Sequence, residues 1–145
     1  MSNYHLKKNT LIFIFELILC IMAEGKFATS ISCMDGRIQI PINNWIKENF
    51  PVDFVDTITE PGVDKQVSSN GDLESMKSKV GISINKHKSS LIAVSGHYDC
   101  AGNPVSNDEH IEHIKKGSEI IKSWNFGVTV VGLWVNKNWQ VEKIV

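Results

Sequence analysis

The stretch that most restricts what this chain can fold into is SSLIAVSG, residues 89–96. It is a near-continuous apolar run of strand length. A strand with one face in water alternates polar and apolar side chains. An unbroken run belongs to a strand covered on both faces, as in the middle of a parallel sheet. Such a strand requires helices above and below it, and the chain supplies three helical patterns. In PINNWIKENF (41–50), Ile42, Trp45, Ile46 and Phe50 recur at helical spacing, with Pro41 suited to a first turn. In GDLESMKSKVGISINKHK (71–88), Leu73, Met76, Val80 and Ile84 share a face, although Gly81 weakens the middle. In NDEHIEHIKKGSEIIKSWN (107–125), Ile111, Ile114, Ile120 and Ile121 form a rough stripe behind a Ser106 or Asn107 cap.

Strand patterns alternate with these helices. FATSISCMD (27–35) ends as a strand near Cys33, and VDFVDTIT (52–59) is stopped by Pro61 and Gly62. VTVVGLWV (128–135) and WQVEKIV (139–145) face each other across a polar NKN. The order β-α-β-α-β-α-β-β predicts an α/β fold: a mostly parallel sheet flanked by helices, with an antiparallel C-terminal edge strand. At 145 residues, 42% of them hydrophobic, the chain holds one domain with a substantial core and is too short for two. We assign residues 26–145 to that domain and residues 1–25 to an N-terminal apolar arm or signal-like segment.

In that segment Lys7 and Lys8 precede an apolar run from Leu11 to Ala23, too short to span a bilayer comfortably and carrying Glu16 in its middle. Two readings stand: a helical arm that packs on a partner subunit, or a signal peptide cut after Ala23. The first leaves the protein cytoplasmic and the second exports it. Cys20 reads there as a small apolar residue. A net charge of −1 supplies no field toward nucleic acid or an anionic membrane, so neither is expected as a partner. Three cysteines, Cys20, Cys33 and Cys100, do not make a disulfide framework and point to thiols free for metal or chemistry.

In sheets of this kind ligands bind beyond the carboxyl ends of the strands, near the point where strand order reverses. Three strand ends carry unusual residues: SCMDGR after the first, TEPG after the second and GHYDCAG after the third. If the first and third strands are neighbours, Cys33, His97 and Cys100 converge. Two thiolates and an imidazole suit zinc, and three protein ligands leave a fourth position for water or substrate. Each fragment alone has an ordinary alternative, since a His and a Cys three apart often fill a turn and a lone cysteine is often core. Cys33 has company, however. Asp35 could accept a proton from water at the metal or bind the metal itself, and Arg37 can hold that carboxylate in a bidentate pair. The alternative is an ordinary Asp–Arg pair at a strand end. His110 and His113 are spaced like a helical metal pair, but Glu112 and the nearby lysines suggest a solvated face. His5 and His87 lack supporting context. Glu60 reads first as a turn residue, with the alternative that it faces the pocket from the second strand's end, and Trp45, Trp124, Trp134 and Trp139 read as core or subunit contacts.

C-x-D-x-R in CMDGR and H-x-x-C in GHYDCAG, in this order and on these elements, resemble the beta-class carbonic anhydrases. Gly96 and Gly102 also fit that family's loop, and the likeness in topology runs from about Lys26 to the end. The resemblance implies zinc held by Cys33, His97 and Cys100, with Asp35 and Arg37 as the catalytic carboxylate–guanidinium pair beside it. It implies reversible hydration of carbon dioxide to bicarbonate by zinc-bound hydroxide. It further implies a homodimer or higher homo-oligomer, because that family builds its active site at a dimer interface. The chain departs from the family in Gly36, usually serine, in Ala101, usually a second glycine, and in TEPG, which replaces an Arg-Asn-Ala type of segment. It has no clear counterpart of the glutamine and aromatic residues that line the family's pocket. Two other readings therefore stay open: a hydrolase of carbonyl sulfide or carbon disulfide on the same site, and a non-catalytic zinc-binding interaction protein.

Overall fold

The computed structural model describes residues 24–145, so the arm or signal-like segment, with Cys20 and His5, lies outside the described residues up to position 23. The elements are β1 (Phe27–Ser32), α1 (Gly36–Asn49), β2 (Phe54–Thr59), α2 (Val63–Ser68), α3 (Glu74–Lys86), β3 (Leu91–His97), α4 (Asn107–Ser123), β4 (Thr129–Val135) and β5 (Val141–Lys143). The strands form one sheet in the order β2-β1-β3-β4-β5. β2, β1, β3 and β4 are parallel, and β5 adds antiparallel to β4. This is the predicted fold class.

β3 lies between β1 and β4 and is buried at every position, as its unbroken apolar run requires. On one face of the sheet α1 sets Ile38, Ile42 and Ile46 against Ala28, Leu91, Ala93 and Leu133. On the other face Val63, Val67, Met76, Val80 and Ile121, from α2, α3 and α4, cover Ile31, Ile92 and Val94. The chain runs outward from β1 to β2, then returns to β3 and continues to β4. Strand order therefore reverses between β1 and β3, which is where such sheets open a crevice at their carboxyl ends.

The elements differ from the sequence reading in four places. α1 starts at Gly36 because the Asp35 side chain caps it, accepting from the Arg37 backbone N–H at 2.9 Å, so Pro41 lies inside the helix and not in its first turn. The short helix α2 was not expected behind the Pro61–Gly62 turn; its buried Val63 and Val67 are one helical turn apart. α4 is capped by Ser106 in a reciprocal box with Glu109, and it buries His110, Ile114, Gly117, Ser118 and Ile121, a stripe turned away from Ile111 and Ile120. Small residues there let α4 come close to α2: a Cβ on Gly117 would already touch Val67 at 3.3 Å. β5 spans only three residues, after which Ile144 donates to the Gly132 carbonyl at 2.8 Å.

Candidate metal centre

β1 and β3 are neighbours, and their carboxyl ends bring the three predicted ligands together. Cys33 follows β1, His97 ends β3 and Cys100 lies in the turn after it. Their donor atoms all lie within 4.8 Å of one another, and among the described residues theirs is the one cluster of three or more such donors. The two Sγ atoms are 3.9 Å apart and not joined in a disulfide, and all three residues are buried. The Tyr98 carbonyl lies 2.8 Å from His97 Nδ1. A carbonyl can only accept, so Nδ1 carries the proton and Nε2 presents its lone pair. That Nε2 is buried with no hydrogen-bond partner among the described residues. Leaving such a group unmatched costs about 1–3 kcal/mol, and a coordinated cation would remove that cost.

The electrostatics suit the same reading. Burial, ahead of every other influence, holds His97 below the ordinary imidazole range, which keeps its ring neutral as a ligand must be. Burial first, and then the neighbouring Cys33, push the Cys100 thiol up to about 11. At neutral pH Cys100 therefore keeps its proton until a cation displaces it. Two sulfurs and one imidazole nitrogen are donors that fit a borderline-soft divalent ion, and three protein donors leave a position open.

Asp35 and Arg37 stand beside this trio. Arg37 Nε donates to both Asp35 oxygens at 3.0 and 3.1 Å, and Nη2 donates to Oδ2 at 2.6 Å. This pairing is the main cause that holds the Asp35 carboxyl down at about 2, against a smaller opposing effect of burial. Arg37 is correspondingly raised above its ordinary value by Asp35. Gln39, which sequence reasoning did not single out, donates from Nε2 to the Cys33 carbonyl at 2.7 Å and the Asp35 carbonyl at 3.0 Å. It thereby fixes the turn that carries both residues.

The loop bearing Cys100 is anchored from behind. Asn103 Nδ2 donates to Asp64 Oδ2 at 2.9 Å, and His110 Nδ1 donates to the same oxygen at 2.5 Å. Asp64, Asn103 and His110 are all essentially excluded from solvent. His110 therefore does not lie on a solvated face, as its neighbours suggested, but under Trp134 with ring centroids 5.3 Å apart. His113 is partly exposed and lies 3.0 Å from Asn103 Nδ2. Beside this cluster TEPG meets CAGN backbone to backbone: a Cβ on Gly102 would stand 2.5 Å from the Gly62 nitrogen. Gly62 itself has φ +59°, the left-handed region that glycine enters freely. Glu60 takes no part in the site and pairs with Lys79 at 3.4 Å. His87 pairs with Asp56 at 2.7 Å, across the sheet from the trio.

Fold and site together define an α/β protein with a buried Cys–His–Cys group that could hold a metal ion at the sheet's switch point. The sequence profile of a family described as "Putative carbonic anhydrase" matches residues 23–145, and the chain belongs to that family. No curated protein sequence matches it. Among solved structures it is similar to beta-carbonic anhydrase isoform I of Trichomonas vaginalis, with 16% identity, a TM-score of 0.59, and coverage of 100% of this chain and 98% of that one. The carbonic anhydrase of Streptococcus mutans gives 14% identity and a TM-score of 0.59 over 100% of both chains. A carbon disulfide hydrolase in its apo form gives 13% identity and a TM-score of 0.50, covering 99% of this chain and 91% of that one. At such identities the structural likeness speaks for the fold. The resemblance read in CMDGR and GHYDCAG agrees with the family.

Proposed function

We propose that the protein is a zinc lyase that interconverts carbon dioxide and bicarbonate, with Cys33, His97 and Cys100 holding the metal and Asp35 and Arg37 serving the reaction. The observation that carries this reading is the buried Nε2 of His97, which has no partner among the described residues and lies among two thiols while its Nδ1 is tied to the Tyr98 carbonyl. Zinc held there would supply Lewis acidity, bringing the ionisation of water to about pH 7, as is established for a carbonic anhydrase with three histidine ligands. Asp35 is ionised at any physiological pH, and a carboxyl with a pKa of about 2 is a poor base. It therefore acts as a fixed acceptor, orienting the attacking water by one hydrogen bond and leaving the proton to solvent. Arg37 keeps the carboxylate charged and fixes its direction. His97 and Cys100 are buried, which strengthens the interactions made at their own donor atoms, whereas the Asp35–Arg37 pair is partly open to water.

The test is stopped-flow carbon dioxide hydration by the zinc-loaded protein, with Asp35→Ala as the control. The variant should retain one zinc per chain and lose hydration; full retained activity would sink the assignment of Asp35. Hydrolysis of carbonyl sulfide or carbon disulfide without hydration would move the substrate to a sulfur analogue. One zinc per chain with no turnover of any of the three would leave a zinc-binding interaction protein. The same reading carries a homodimer. Its support is Met34 and Ile40, 64% and 70% exposed beside the site, which a second copy would cover. Sedimentation tests that point.

A further inference from the structure

Arg37 is the only arginine in the chain, and Asp35 does not use all of it. Its Nη1 donates to Asp99 Oδ2 at 3.3 Å and its Nη2 to the Asp99 carbonyl at 3.3 Å. From another direction the ring of Trp139 faces the guanidinium, whose carbon is 4.7 Å from the ring centroid. Asp99 lies in the turn between His97 and Cys100, and Trp139 lies in the turn between β4 and β5. Both residues hold left-handed backbone, with φ of 59° and 60°. Aspartate tolerates that region, whereas a bulky aromatic is a genuine outlier there. Such strain persists only where the surroundings enforce it, and it gathers at functional sites. The turn at Trp139 is enforced: its N–H donates to the Asn136 carbonyl at 2.9 Å, and Asn136 Oδ1 accepts from the Asn138 and Gln140 N–H groups at 2.9 and 3.1 Å. Two turns, the second pinned through Asn136, thus bring a carboxylate and an aromatic face to the one guanidinium that holds Asp35.

We propose that Asp99 and Trp139 are positioning residues that clamp Arg37, so that Asp35 stays paired and directed and does not swing freely beside the Cys33–His97–Cys100 pocket. For its effect on turnover this rests on the proposed function; for its effect on Arg37 it does not. The Arg37 side chain is half exposed, and an exposed ion pair alone is too weak to fix a catalytic carboxylate. Adding a second carboxylate and a π face, both on fixed backbone, removes the other orientations of the guanidinium. The competing account makes Trp139 a packing residue, since it rests on the α1-side core, and Asp99 a turn former. On that account neither substitution below would change the behaviour of Arg37.

Because there is one arginine, its Nε–H gives a single assignable NMR resonance in the zinc-loaded protein. Asp99→Asn keeps a residue that tolerates left-handed backbone, and Trp139→Leu keeps apolar bulk without a π face. Each should speed solvent exchange of the Arg37 Nε–H by about three-fold, the size expected of one exposed ion pair or cation–π contact. Trp139→Leu should also abolish the ring-current shift of the Arg37 side-chain protons, while Trp139→Phe restores most of the protection. kcat for hydration should fall by a similar factor with KM unchanged. Unchanged exchange in Asp99→Asn and Trp139→Leu would overturn the clamp, as would faster exchange with unaltered kcat. Should Trp139→Leu not fold, Asp99→Asn and Trp139→Phe decide on the same readout. A wild-type protein without hydration activity would overturn the proposed function, and the exchange rates alone would then judge the clamp.

Discussion

Replacing Gly102 by alanine puts a methyl group between two backbones. The new Cβ would lie 2.5 Å from the Gly62 nitrogen, 2.7 Å from the Pro61 carbonyl carbon and 3.1 Å from the Gly62 Cα. Ordinary contact begins near 3.4 Å, so the two turns must part by about 0.9 Å. All the atoms met are main chain, and no side chain can rotate away to make room. Overpacking of this kind costs about 1–3 kcal/mol, and rigid surroundings on both sides place it at about 3. For a domain of this size that lowers Tm by about 10 °C. The displaced turn also carries Cys100, two residues before the substitution, so zinc affinity should fall by about ten-fold as the ligand loses its support. Thermal unfolding of the metal-free, reduced protein measures the first effect, and competition with a chromogenic chelator measures the second. Gly36→Ala is the internal control: its Cβ meets nothing within 4 Å among the described residues, at the first position of α1, so it should be neutral or stabilising by about 0.5 kcal/mol. A Gly102→Ala protein that melts within about 2 °C of wild type and binds zinc equally well would show that the Gly62–Gly102 contact yields, and would refute the steric clash.

Asp64→Ala should cost about 3 kcal/mol in chemical denaturation, because it leaves His110 and Asn103 buried without their shared acceptor. Adding His110→Phe should recover part of that loss, and strict additivity of the two changes would contradict a coupled pair. Zinc affinity should rise with pH: below the Cys100 pKa of about 11, that proton alone changes the apparent affinity tenfold per pH unit, measurable by competition between pH 6 and 8. Asp35 has a folded-state pKa of about 2, below its ordinary 3.8, so its contribution is present above about pH 4 and is lost as pH falls through about 2. With Arg37 half exposed, the full linkage value is discounted to about 1 kcal/mol. Asp35→Asn, which keeps a helix cap, should unfold about 1 kcal/mol more easily than wild type at pH 6 and equally near pH 2.

The parts of the fold that were legible in the sequence are those written in local pattern. The unbroken run at Leu91–Gly96 required a central strand, and helices alternating with strands required a parallel sheet. CMDGR and GHYDCAG carry the three candidate ligands, but only conditionally, since their meeting depends on β1 lying beside β3. What stayed hidden is non-local. His110 was read as solvated because Glu112, Lys115 and Lys116 around it are indeed exposed. Its burial depends on Asp64, 46 residues upstream in a six-residue helix behind Pro61–Gly62. Trp139 was read as core or contact, and nothing within the NKNW turn announces that Arg37 lies against its ring. The sequence marks TEPG as the turn that stops β2, as an unusual strand end and as a departure from the family, but not as a partner of the Cys100 loop. Its Gly62 has a steric purpose that becomes visible once Gly102 is set against it.

The placement of the Cys–His–Cys trio and of the Asp64 cluster has one geometric origin in the two-residue alternation of β3. Leu91 and Ala93 point to the α1 side, and His97, on the same alternation, joins Cys33 and Cys100 there. Ile92 and Val94 point to the opposite side, and Gly96 follows them to face Asp64 and Ile114, where a Cβ would stand 3.1 Å from Asp64 Oδ2. One residue of chain therefore separates the metal face from the buried anchor that braces the Cys100 loop. Gly96 suits the arrangement, because a Cβ there would press on the Asp64 carboxylate at 3.1 Å and on Ile114 at 3.2 Å, and one of them would have to give by a few tenths of an ångström. A one-residue slip of β3 would exchange the two faces, sending His97 toward Asp64 and away from the thiols. The candidate metal group and the Asp64 cluster are thus specified by a single register, so a change that loosens the Asp64 cluster should be felt at Cys33, His97 and Cys100 from across the sheet.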